Sequence, residues 1–346
     1  MGDTLHTHVI ETERCGSLNV YVQGDIEQAR KGDKDGKPVF LTVHDIGKNH
    51  NSWLNFVYHP SMANIRERAV FVHVDLLGQE DDSEDLPDPH KFPTMQEMGE
   101  DLVNILDNLR IKYIIGLGDG AGANILARFA TMHHTRCLGV VLVNPTGNAA
   151  TFIEQFKDKM HPKLARIQST TENYLIMHKY GHKLDDDEQD DEELVKAFED
   201  YKEKLRTAKL NMKNAKVYVD AFMKRDDITG RIKNITDDVL LVCGSKSAYV
   251  ANMDTMYSFC DKTKTSNLKI DDIGDVLEEA PSKLANSLLL FCKGLGWMIS
   301  LTAPGIERQR SASQSSTGSG GGLQRRMSME EYDKPNIRRL SLTGAD

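Results

Sequence analysis

Apolar residues along the chain fall into two rhythms. Short β-branched runs recur at Leu18–Val22, Val39–Val43, Val70–Val74, Tyr113–Ile115, Val140–Val143, Val239–Val242 and Leu268–Ile270. Leu18–Val22 alternates, and most of the others are near-continuous apolar stretches, as strands buried on both faces of a parallel sheet are. Between them, Met95–Leu109 and Ala123–Met132 carry apolar residues at helical spacing. Strand, turn and helix therefore alternate, which predicts an α/β fold with a mostly parallel central sheet flanked by helices.

From about residue 148 to residue 236 the strand-like runs stop, and charged amphipathic patterns such as Glu193–Leu210 take their place. This stretch is predicted to be a helical cap inserted into the sheet order. Leu288–Leu301 reads as a last core helix, since Lys293, two glycines and its short length exclude a membrane span. Beyond it the composition shifts to Ser, Gly, Arg and Gln, with QSSTGSGGG at Gln314–Gly322. Such a segment cannot bury enough apolar area to offset the entropy of ordering, so residues 303–346 are expected to form a disordered tail after a folded unit spanning 1–302.

Bulk properties narrow the function classes. A chain of 346 residues, 39% hydrophobic and 27% charged, can bury one large core with an inserted lid. Its net charge of −9 disfavours nucleic acid as a partner, because phosphate binding relies on dense Lys and Arg. The five cysteines, Cys15, Cys137, Cys243, Cys260 and Cys292, are widely spaced with no C-x-x-C pair, which suits reduced thiols and a cytoplasmic location. The opening MGDTLHTHVIETER has neither the basic start nor the apolar run of a secretory signal. Gly2 would suit myristoylation, but that motif wants Ser or Thr where His6 stands, so peripheral membrane association is not indicated. Asp185–Glu193 holds eight carboxylates in nine residues without the ordered D-x-D-x-D-G loop of a calcium site, and Glu80–Asp85 is similar. Both read as solvated acidic loops, and no metal or cofactor is expected.

The candidate chemistry lies in GLGDGAGAN, Gly116–Asn124, between a strand and a helix. Gly118, Gly120 and Ala123 match a dinucleotide fingerprint, yet the next strand ends in Asn144, not in the acid that holds a ribose, and two strands precede the cluster. The alternative is a nucleophile elbow, G-x-S-x-G, in which the serine position falls on Gly118 in one register and on Gly120 in the other. Neither carries an attacking atom. Asp119 as nucleophile would need small neighbours at Leu117 and Ala121, and Leu117 is not small. After the late strands, Ser247 stands where the acid is expected and Asp275 where the histidine is expected. No histidine follows His182; His44, His73, His133, His134 and His178 lie upstream and read as structural.

The tail carries three basophilic kinase patterns. Arg308 and Arg310 precede Ser313, Arg325 and Arg326 precede Ser328, and Arg338 and Arg339 precede Ser341. A phosphate on each serine would reverse the local sign of charge, which makes the tail a candidate switch.

Five segments together resemble the N-myc downstream-regulated family. They are VHDIGKNHNSW (Val43–Trp53), VHVDLLGQE (Val72–Glu80), IIGLGDGAGANILARFA (Ile114–Ala130), VLLVCGSKSAYV (Val239–Val250) and LLLFCKGLGWM (Leu288–Met298). The resemblance implies an α/β-hydrolase fold without activity. Its emptied triad would lie at Gly118 or Gly120, Ser247 and Asp275, and its vestigial oxyanion loop at His44 and Asp45. It further implies a phosphorylated tail at Ser313, Ser328 and Ser341, and a cytoplasmic signalling adaptor acting in stress response, differentiation or trafficking. The partners would be other proteins and basophilic Ser/Thr kinases. The alternative reading is an unconventional hydrolase, or a small-ligand or lipid receptor, that uses a pocket under the cap with His44, Asp45 and Asp119.

Overall fold

The computed structural model describes residues 5–30, 36–87, 91–150, 170–184 and 191–301. Among them, strands β1 (Leu5–Glu11), β2 (Ser17–Gln23), β3 (Val39–Val43), β4 (Val70–Asp75), β5 (Ile114–Asp119), β6 (Cys137–Val143), β7 (Asp238–Gly244) and β8 (Thr265–Ile270) form one sheet. Its order is β1-β2-β4-β3-β5-β6-β7-β8. β1 and β2 run antiparallel to their neighbours, and every pairing from β4 to β8 is parallel. The helices in chain order are α1 (Ile26–Arg30), α2 (His50–Tyr58), α3 (Ala63–Arg66), α4 (Met95–Leu109), α5 (Ala121–Met132), α6 (Thr170–Leu184), α7 (Asp191–Thr207), α8 (Met212–Met223), α9 (Thr229–Ile232), α10 (Val250–Phe259), α11 (Val276–Glu279) and α12 (Pro281–Gly294).

The period of two along each strand divides the apolar side chains between two cores. Val39, Leu41 and Val43, Val70, Val72 and Val74, and Val140 and Leu142 join the core covered by α4, α5 and α10. Phe40, Phe71, Leu117, Val141 and Val242 point the other way, into the core covered by α2, α3 and α12. Burial on both faces is why these segments lack the polar alternation of a half-exposed strand. Helix α4 starts where the sequence pattern does because Thr94 and Glu97 form a capping box, and it ends at Arg110 in the left-handed conformation.

Helices α6 to α9 occupy the connection between β6 and β7, where the sequence pattern predicted helices in place of strands. The strand predicted at Tyr113–Ile115 is longer than expected: β5 continues through the first glycines to Asp119. The last helix is Pro281–Gly294, earlier than the predicted Leu288–Leu301, and Trp297 and Met298 pack on the second core after it ends. Gly2, residues 185–190 of the acidic run, and Ser313, Ser328 and Ser341 lie outside the described residues. No helix among the described residues is long and apolar enough to cross a membrane.

Candidate functional site

The parallel strands end on one side of the sheet, and the turn after β5 is its most constrained point. Gly120 has φ 53° and ψ −113° between the last residue of β5 and the first of α5. An L side chain is strained there, which is the mark of the strand-to-helix turn that presents a nucleophile in hydrolases. Gly120, not Gly118, is the apex. Gly118 lies inside β5, where a Cβ would stand 2.6 Å from the Cα of Ala123, so that glycine lets α5 pack close against the strand.

The space beside Gly120 is filled by Asp45, from the loop after β3. A Cβ at Gly120 would overlap the Asp45 carboxylate. Asp45 Oδ1 accepts hydrogen bonds from the backbone N–H groups of Ile46 and Ala121, both at 2.8 Å. An N–H from the loop after β3 and the N–H that follows the apex are the two donors that make an oxyanion hole in this kind of turn. Here the chain's own carboxylate occupies both. Oδ2 lies 2.6 Å from Nε2 of His178 on α6. With the Nε2 proton directed at Asp45, His178 Nδ1 accepts from the Tyr249 hydroxyl. Burial works to raise the Asp45 pKa, but His178, Lys48 and the Ala121 N–H outweigh it and hold the carboxyl below the usual carboxylate range.

A second charged group adjoins the first. Lys48 Nζ is 2.8 Å from Asp119 Oδ2 and 3.3 Å from Asp275 Oδ2. Burial would lower the lysine pKa, yet Asp119, Asp275 and Asp45 together push it well above its ordinary value. One ammonium thus serves three carboxylates. Asp119 is the one least well served: burial, reinforced by Asp45 and Asp275, pushes it up to about 6 against the pull of Lys48. For Asp275, burial is outweighed by Lys48 and Lys179, which hold it below the usual range, and its other oxygen caps α11 through the N–H groups of Leu277 and Glu278. Asn144 donates to Asp119 Oδ1 at 3.4 Å and accepts from Ser247 Oγ at 3.0 Å.

The expected positions thus gather at the strand ends, though their partners differ from what the sequence suggested. Ser247 and Asp275 are linked to Asp119 through Asn144 and Lys48, and Asp119 stands one residue before the apex, not on it. His44 is fully buried; Nε2 accepts the Leu76 N–H, so Nδ1 carries the proton and donates to the Asp45 carbonyl at 2.8 Å. That is a structural role. His178, read from sequence as structural, is the imidazole that reaches the turn, and Lys48 was not singled out at all. Among these groups lies a cavity of about 30 Å³, lined by Lys48, Asn144, His178, Ser247, Tyr249 and Asp275; of the three residues expected in a pocket under the cap, Asp45 lines it. That is room for a water, far below the several hundred Å³ that small-molecule sites offer. A larger surface depression, about 660 Å³ beside β1 and Gly24, lies away from these groups. Among the described residues no cluster of three or more His, Cys, Asp or Glu could hold a metal ion.

Comparison with known proteins adds the context of relatives. Residues 7–299 match the family model described as the Ndr family. An uncharacterized protein of Caenorhabditis elegans is 41% identical over 99% of this chain and 96% of its own length. Protein NDRG3 of Xenopus laevis is 31% identical over 90% of this chain and 81% of its own. Among solved structures, the enol-lactonase from Burkholderia xenovorans LB400 superposes with a TM-score of 0.60 at 13% identity, covering 83% of this chain and all of the enzyme. Naproxen esterase from Bacillus subtilis gives 0.54 at 15%, covering 84% and 92%. At such identities the likeness is one of fold, and the fold is that of the α/β hydrolases.

Two outcomes follow from the geometry. Gly120→Ser is expected to destabilise the protein by about 1–3 kcal/mol, through strain and overlap with Asp45. Adding Asp45→Ala removes the overlap, so urea unfolding of the double variant should show less loss than the sum of the singles, with a coupling of about 0.5–3 kcal/mol; simple additivity would contradict the packing described. The second concerns pH. Because the folded pKa of Asp119 is raised from 3.8 to about 6, its contribution is intact below pH 4 and is lost as pH rises through 6. Between pH 4 and 7 the stability of wild type relative to Asp119→Asn should therefore fall, by on the order of 3 kcal/mol. A difference independent of pH would show that Asp119 titrates normally.

Proposed function

The chain belongs to the Ndr family, and we propose that it acts as a non-enzymatic signalling adaptor of the N-myc downstream-regulated type. In this reading the hydrolase-like sheet is a rigid platform, α6 to α9 offer a surface to other proteins, and residues 303–346 are a phosphorylation switch acting at Ser313, Ser328 and Ser341. The setting is cytoplasmic, in stress response, differentiation or trafficking. A fold can keep its stability without its active site, because core packing and reactive side chains are separate features.

The observation that carries the reading is the seat of Asp45. A hydrolase of this fold needs an attacking atom at the apex and two free N–H donors for the oxyanion that forms. At Gly120 there is no side chain, and both donors are bonded to Asp45. Ser247 and Asp275 are read as the other vestiges of the triad, each tied into the Asn144 and Lys48 contacts. The competing hydrolase reading would rest on Asp119, whose raised pKa is typical of functional carboxyls. Its Oδ2 is bonded to Lys48 and its Oδ1 accepts from Asn144, so both oxygens are already engaged.

The experiment joins the two halves of the proposal. The purified protein should neither hydrolyse a panel of nitrophenyl esters nor take up a fluorophosphonate probe. A basophilic kinase should phosphorylate Ser313, Ser328 and Ser341 without moving the melting temperature, and this should change the set of proteins captured from cells. Ester turnover abolished by Asp119→Ala would establish the enzyme instead. A capture set indifferent to phosphorylation would remove the switch.

A further inference from the structure

The N–H that opens α5 and an N–H from the loop after β3 converge on one point, and buried donors of this kind are costly to leave without an acceptor. Something must sit on the N–H groups of Ile46 and Ala121. Asp45 does so with Oδ1 and at the same time turns Oδ2 to His178. The Asp45 and His178 side chains are each 7% exposed, so this contact is screened little by water.

Leu175, His178 and Lys179 of α6 are spaced so that they share one helical face. Leu175 packs against Gly47, where a Cβ would come within 2.9 Å of its Cδ2. His178 takes Asp45. Lys179 Nζ reaches Glu278 at 2.7 Å and lies 3.9 Å from Asp275. Leu175 and His178 rest on the loop at residues 45–47, and that loop is positioned by the Asp45 carboxylate. His178 bonds that loop through the same carboxylate that fills the N–H pair.

We infer that Asp45 is a built-in anion ligand of the Ile46–Ala121 N–H pair, and that its occupancy is what latches α6 over the strand ends. Filling the pair and closing the helix are one event: withdrawing the carboxylate empties the donors and frees His178 together. A small free carboxylate is the chemical class that can take its seat. The latch rests on the hydrogen bonds around Asp45 and is independent of the adaptor reading.

Chemical rescue tests it. Hydrogen exchange is followed by mass spectrometry in the full-length wild type, in Asp45→Gly, which leaves a space the shape of acetate, and in His178→Ala. In Asp45→Gly the amides of α6 should exchange about tenfold faster or more while the sheet stays protected. Sodium acetate should return them toward wild type, and sodium chloride at the same ionic strength should not. Wild type should ignore acetate. In His178→Ala the helix should loosen without any acetate response, because Asp45 still fills the donors. Unchanged α6 exchange in Asp45→Gly, or loosening that acetate does not reverse, would overturn the latch. Should Asp45→Gly fail to fold, His178→Ala decides alone, and α6 exchange equal to wild type would overturn it.

Discussion

A single carboxylate that satisfies two buried N–H donors organises this end of the molecule. Asp45 stands where the side chain at the apex of the turn would stand, and it can do so only because residue 120 is glycine. The arrangement is mutual. The turn needs a residue tolerant of positive φ, the donors need an acceptor, and the acceptor needs a cation or donor on its second oxygen, which His178 supplies.

The same economy explains the charges next to it. Three carboxylates, Asp45, Asp119 and Asp275, come together at the ends of β3, β5 and β8, where ionised acids would repel if unpaired. Lys48, from the same loop as Asp45, is the shared counter-charge, and its pKa rises because all three acids favour its charged form. Removing one partner of such a buried set is costly, about 3–5 kcal/mol, because the others are left without compensation. The group is interlocked: each oxygen of Asp45, Asp119 and Asp275 is bonded to a neighbouring donor.

Much of the fold was legible because burial on both faces writes itself as continuous apolar runs. Val39–Val43 and Met95–Leu109 coincide with β3 and α4, the latter helped by the Thr94 capping box. β1 escaped notice: in LHTHVIE only Ile10 is buried, as befits an edge strand with one neighbour. The glycines of β5 looked like a turn from sequence, yet Gly118 is there because the Ala123 backbone of α5 approaches too closely for a side chain, and at Gly116 a Cβ would crowd Val140 and Leu126. That both candidate apex positions, 118 and 120, are glycine is plain in the sequence, but which of them is the apex is not, since that is set by the backbone angles of Gly120. Nor could His178, because no periodicity links a cap histidine to an acid 133 residues away. Lys48 was in plain view in VHDIGKNH, and only the convergence of Asp119 and Asp275 gives it a role.

The most direct test of this arrangement is electron density at the turn in a crystal of the full-length protein. Asp45 Oδ1 should be seen within hydrogen-bond distance of both the Ile46 and Ala121 nitrogens, near 2.8 Å, with Oδ2 on His178. Asp45 turned out of the turn, with a water or a free anion resting on those two nitrogens, would contradict it.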